Sequence, residues 1–213
     1  SAAIAGAKAA LPSDFPAVEV PTRDVRKTAL SRALSLSQFA NQERRGAGYV
    51  VKGLLQRRSY ASVYGAPGEG KTFVMLDLAY SVAAGRPWME HKVHAGPVLY
   101  LAFEGTGGLV KRAQALRQKY GQADVPLFIA GASMNLRERA GREELGSLMA
   151  ELPDKPVLVV VDTFARALCG GDENSAQDVG AFNAAIAALI ESTGACVTIV
   201  HHSGKDKSKG ARG

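Results

Sequence analysis

Beyond residue 58 the chain alternates between two apolar rhythms. Short unbroken apolar runs, such as 157–161, have the length and β-branched content of strands covered on both faces. Between them, apolar residues recur every three or four positions, as on one side of a helix. The runs predict strands over 59–64, 98–103, 126–130, 157–161 and 195–200. The stripes predict helices from 70 to Gly85, over 108–120, over 142–152 and from Ser175 to Gly194. Val74, Leu78 and Val82 share the first stripe; Val179, Phe182, Ile186, Leu189 and Ile190 share the last. Ser175 and Asp178 have the spacing of a capping box. Upstream, Val25, Leu30, Ala33 and Leu34 predict a helix over 24–41, broken at Gly46-Ala47-Gly48, and 1–22 reads as an arm without a period. Strand–helix alternation predicts an α/β fold: a central, mostly parallel sheet with right-handed crossovers and helices on both faces. The expected division is an N-terminal arm and helix over 1–47, a candidate subunit-docking segment, and one domain over 48–213.

Composition narrows the class. With 213 residues, 46% hydrophobic and 22% charged, the chain can bury one sizeable core, which excludes a wholly disordered, collagen-like or disulfide-scaffold protein. No apolar run approaches the roughly 20 residues that cross a bilayer, and the N-terminus lacks the layout of a signal peptide. Cys169 and Cys196 form no C-x-x-C pair. The expectation is a reduced, cytoplasmic protein with no membrane partner. The net charge of +6 is uneven: 1–58 holds ten Lys and Arg against four acids, 59–200 twelve against fifteen, and 201–213 four against one. The body is therefore mildly acidic and the basic excess sits in its flanks, which attract nucleic acid or other phosphates unless they are merely solvated.

The strongest chemical signal is Gly65-Ala66-Pro67-Gly68-Glu69-Gly70-Lys71-Thr72, which fits G-x-x-x-x-G-K-[ST] at every fixed position. Glycines let successive backbone N–H groups turn inward around phosphate oxygens. Lys71 supplies a point charge for the β- and γ-phosphates, Thr72 a hydroxyl for Mg²⁺, and the helix N-terminus a favourable field. ATP and Mg²⁺ are the expected ligands. In an open parallel sheet, ligands bind at the carboxyl ends of strands. There the 157–161 run meets Asp162, a candidate Mg²⁺ residue, and the 98–103 run meets Glu104, a candidate base for the water that attacks the γ-phosphate. The last run ends in His201 and His202, of which one can contact the γ-phosphate while the other packs locally; no Cys or carboxylate cluster beside them favours zinc.

These stretches, with VKGLL before the first strand, LYLAFEG, VVVDTFARALCGGDENSAQD and IVHHSGKDKSKGARG, resemble the RecA-like P-loop ATPases over residues 48–213. More narrowly, they resemble the plasmid RepA replicative-helicase group and related phage and mobile-element ATPases. The resemblance implies that the His-bearing strand lies between the phosphate-loop strand and the Asp162 strand, with the Glu104 strand beyond. It implies Glu104 as catalytic base, His201 or His202 as γ-phosphate sensor, and Arg212 as a finger acting on a neighbouring subunit's nucleotide. It also implies a homo-oligomeric ring, a hexamer, moving on single-stranded DNA. The loops 164–174 and 203–213 would face its pore, with Lys205, Lys207 and Lys209 tracking phosphates. The family's core continues with further strands, so the expected domain is incomplete at its C-terminus. The competing expectation is a RecA-like ATP-dependent scaffold or regulator without motor activity.

Overall fold

A computed structural model of the chain describes residues 35–40, 48–104, 107–121 and 124–202. Two compact units divide at Arg44/Arg45. In the first, the described part is helix α1 (Leu36–Ala40). It opens on a reciprocal capping box: Gln38 N–H donates to Ser35 Oγ (3.2 Å), and Ser35 N–H donates to Gln38 Oε1 (2.9 Å). A helix thus starts at Leu36, inside the 24–41 stretch expected to form one helix. Val25, Leu30, Ala33 and Leu34, which carry that expectation, lie outside the described residues.

The second unit begins with an antiparallel hairpin, β1 (Tyr49–Val51) and β2 (Leu55–Gln56). It continues into a five-stranded sheet of β3 (Ser59–Gly65), β4 (Val98–Ala102), β5 (Leu127–Gly131), β6 (Leu158–Asp162) and β7 (Cys196–His202). The order is β3-β7-β6-β4-β5 and every neighbour is parallel. The His-bearing strand therefore lies between the phosphate-loop strand and the Asp162 strand, with the Glu104 strand beyond, as the resemblance implied. The connecting helices are α2 (Lys71–Ala83), α3 (Gly107–Tyr120), α4 (Arg139–Ala150), α5 (Phe164–Ala167) and α6 (Ala176–Thr193).

The unbroken apolar runs follow from this layering. Successive residues of a strand face opposite sides. Val98, Tyr100 and Ala102 of β4 pack in one layer with Met75, Leu76 and Ala79 of α2, while Leu99 and Leu101 pack in the other with Phe182, Ile186 and Leu189 of α6. With both sides dry, each position must be apolar, and each such side chain contributes about 1.5–3 kcal/mol of burial.

The boundaries differ from the expected ones in instructive places. The runs expected to end at Val161 and Val200 extend to Asp162 and His202, because β4, β6 and β7 continue to pair past the apolar residues: Ala102 opposes Asp162, and Gly65 opposes His202. Asp162 and the two histidines are thus held inside the ladder, while Glu104 follows β4, which ends at Ala102. Helix α4 starts at Arg139, three residues before the expected 142. Gly141 lies in its first turn, where a Cβ would sit 2.1 Å from the Asn135 carbonyl oxygen, so the close approach of the 135 backbone requires glycine. At α6, Asp178 N–H donates to Ser175 Oγ (3.2 Å). The return half of that capping box does not form, because the Asp178 carboxylate instead accepts from Asp172 N–H (3.0 Å) and pairs with Arg137. Gly194, at φ 73°, ends the helix.

Candidate functional site

The site grows from the turn between β3 and α2. Gly68 (φ 83°) and Gly70 (φ 82°) both take the left-handed conformation, which costs a side-chain-bearing residue but not glycine. They swing the chain so that α2 begins at Lys71 with its N-terminus behind the loop. Lys71 is 9% exposed, and its Nζ donates to the carbonyls of Gly65 (2.8 Å) and Ala66 (2.9 Å). Ala66 N–H donates to Glu69 Oε2 (2.8 Å), so the Glu69 carboxylate lies across the arch; a Cβ on Gly65 would meet it at 2.7 Å. Pro67 is exposed on the loop, and Thr72 is half-buried in the first turn of α2.

Pairing within the sheet brings the next groups to Lys71. Because Gly65 opposes His202, the ammonium that bonds Gly65 also lies 3.2 Å from His202 Nδ1. His202 Nε2 stands 3.6 Å from Glu104 Oε1, and Thr163 Oγ1 donates to that same oxygen (3.2 Å). Lys71, His202, Glu104 and Thr163 thus form one chain of contacts across the carboxyl ends of the strands. Asp162 lies beside it, 3% exposed. Its Oδ2 accepts from Tyr100 O–H (2.5 Å), while its Oδ1 is buried and has no hydrogen-bond partner. Burial, then the Asp162 charge and the hydrogen bond to it, push the Tyr100 hydroxyl far above its ordinary value, so it stays a donor. The Asp162–Thr163 peptide is cis.

The two histidines part company, as neighbours in a strand must. His201, 6% exposed, faces the other layer: its ring stacks on Phe164 (centroids 4.9 Å apart) and its Nδ1 contacts the His202 carbonyl (2.7 Å). Its Nε2 lies 3.7 Å from Glu173. Of the pair, His202 is brought to Lys71 and Glu104. The stretch 164–174 opens with the short helix α5, and its Phe164 is 4% exposed against His201 and Phe182. Arg212, Lys205, Lys207 and Lys209 lie outside the described residues.

Tyr100, Thr163, Phe164 and Glu173 were not anticipated from the sequence. The one usable signal was a tyrosine inside an otherwise aliphatic strand, whose hydroxyl needs a buried partner.

The groups present fit a Mg²⁺-bound nucleoside polyphosphate. An acidic oxygen is buried without a partner at Asp162, an ammonium is held at the mouth of the loop, and the helix behind it starts with its backbone N–H groups free of intrahelical partners. Among the described residues, no helix is long and apolar enough to cross a membrane.

A family model described as an AAA domain matches residues 26–208 of the chain. No curated protein matches it.

Proposed function

The chain belongs to the AAA domain family, RecA-like P-loop ATPases, and from that premise we propose that it is a ring-forming motor of the plasmid RepA replicative-helicase type. It hydrolyses ATP and moves on single-stranded DNA. The observation that carries the reading is the His202 ring standing between Lys71 (3.2 Å) and Glu104 (3.6 Å). An ammonium for the phosphates and a carboxylate for the attacking water are joined through one side chain that responds to both.

In this reading the backbone of Gly65 to Thr72 holds the β- and γ-phosphates, and Lys71 exchanges its carbonyl partners for phosphate oxygens. Asp162 and Thr72 would hold Mg²⁺, which would supply positive charge to offset that of the phosphates. Glu104 takes the proton of a water as the water oxygen bonds to the γ-phosphorus and the bond to the ADP oxygen breaks. Thr163 holds Glu104 in place for that water. His202 loses or keeps its contact with Lys71 according to whether a γ-phosphate is present, which makes it the sensor of the pair. His201 carries that change to α5 through Phe164. Arg212, supplied by a neighbouring subunit, stabilises charge on the transferring phosphoryl group; such a finger contributes several orders of magnitude in rate.

The test is ATP turnover and mass in solution, with and without an ATP analogue and single-stranded DNA. The motor reading expects turnover stimulated by DNA and a hexameric mass with nucleotide. Turnover that ignores DNA overturns the motor and favours an ATP-dependent scaffold.

A further inference from the structure

At the opposite end of the sheet, Arg57 and Arg58 lead from β2 into β3. With Tyr49, His94, Lys155 and Glu191 they line a cavity of about 670 Å³. The length of β3 puts it about 20 Å from the phosphate loop. Two arginines and a lysine here face one carboxylate. Lys155 Nζ is committed to the Ser192 carbonyl (2.9 Å). Among the described residues, neither the Arg57 nor the Arg58 guanidinium forms an ion pair, a hydrogen bond or a ring contact.

The backbone around them is built to present these side chains. Arg57 Cδ lies 3.3 Å from where a Cβ of Gly48 would be, and Arg58 Cγ 3.9 Å from that of Gly194. Arg58 itself has φ 54°, and its N–H donates to the Gly194 carbonyl (3.1 Å). Glycine takes that conformation freely and arginine does not. The backbone therefore gives no reason for an arginine at 58, and its side chain must supply one.

We propose that this cavity binds the phosphodiester backbone of single-stranded nucleic acid, at a site separate from the nucleotide. Two adjacent guanidinium forks match phosphate oxygens in pairs, and arginine sheds its water more readily than lysine. The volume suits a nucleotide-sized unit rather than one phosphate group. Tyr49, 37% exposed on the wall, offers a ring on which a base can stack. Binding here does not depend on the ATPase reading, because no residue is shared with the phosphate loop.

The experiment is anisotropy of a labelled oligothymidylate titrated with the full chain in the absence of ATP, over a salt series, with melting temperature and ATP-analogue binding read in parallel. Arg58→Gly removes the charge and relieves the left-handed residue. It is expected to keep or raise the melting temperature while weakening oligonucleotide binding about threefold or more. The Arg57→Glu/Arg58→Glu variant is expected to weaken it at least tenfold, to flatten the salt dependence by about two ions, and to leave analogue binding unchanged. Pyrophosphate is expected to compete only weakly, which separates a bound chain of phosphates from a free anion. Unchanged affinity in the double variant, no binding by the wild type, or equal displacement by polyglutamate overturns the site, as does a lower melting temperature for Arg58→Gly. Unchanged affinity in the double variant leaves the ATPase reading standing.

Discussion

The two ends of the central sheet handle charge in opposite ways. At the carboxyl ends of the strands, Lys71, His202, Glu104, Thr163, Asp162 and Tyr100 sit against one another, and the lysine and the aspartate are almost wholly buried. At the amino ends, Arg57 and Arg58 meet no partner among the described residues and face an open cavity. Buried charge must be paired to be tolerated, so the residues at the first end constrain one another. Exposed charge has no such constraint and serves whatever it can attract. The first arrangement suits bond-making on one small ligand; the second suits repeated, salt-sensitive contact with a polymer.

The sharpest way to separate the ends is to disable one chemically. Glu104→Gln keeps the shape and the hydrogen bond from Thr163 but cannot accept a proton. It is expected to lower ATP turnover by about 10²–10⁴-fold while ATP-analogue and oligonucleotide affinities hold. Turnover within twofold of wild type would remove Glu104 from the chemistry.

The adjacent histidines sharpen the contrast on a scale of one residue. His202→Ala is expected to lower turnover by about 100-fold with little change in stability, since its ring is partly exposed at the nucleotide end. His201→Ala removes a buried ring from Phe164 and is expected to cost about 2–3 kcal/mol by chemical denaturation. A reversed pattern would exchange their roles.

The smallest effect is a control that belongs to neither end. Burial raises the Asp77 carboxyl, but hydrogen bonds from Tyr120, Lys119 and Trp88 and the Lys119 charge outweigh it, leaving its pKa below the ordinary carboxylate value. A depressed pKa contributes stability above the unfolded value near 3.9, and that contribution is lost as pH falls through the folded value. Asp77→Asn is expected to lower stability at pH 7 by less than about 1 kcal/mol, because the Lys119 side chain is 61% exposed and solvent screens the pair. Thermal melts should show the gap to wild type closing below pH 4.

Much of the site was legible because it is carried by residues close in the chain. The phosphate loop, with Gly68, Gly70 and Lys71, depends on local dihedrals and spacing. The buried strands showed as apolar runs because both their faces are covered, and Asp162 and Glu104 stood out as acids ending such runs. Caps were less legible: Ser175 and Asp178 have the right spacing but form only half a box, while Ser35 and Gln38 form a whole one. Competition decided this, since Arg137, far along the chain, draws the Asp178 carboxylate away.

What the sequence determined by itself is therefore what one segment can enforce: strand or helix, the glycine turns, the phosphate-loop motif, and the acids Asp162 and Glu104 that close two of the apolar runs. The tertiary structure decided what depends on which segments lie side by side. Pairing of β3 with β7 sets Gly65 opposite His202, and so chooses His202 over His201 for Lys71; pairing of β4 with β6 gives Asp162 its tyrosine partner from two positions back along β4. The residues just before β1 and before β7 set Gly48 and Gly194 against two arginines from the β2–β3 turn. Apart from Gly48 and Arg57, nine positions apart, such choices rest on contacts between residues 60 to 137 positions apart, and side-chain period alone records only which face a residue takes, not what waits there.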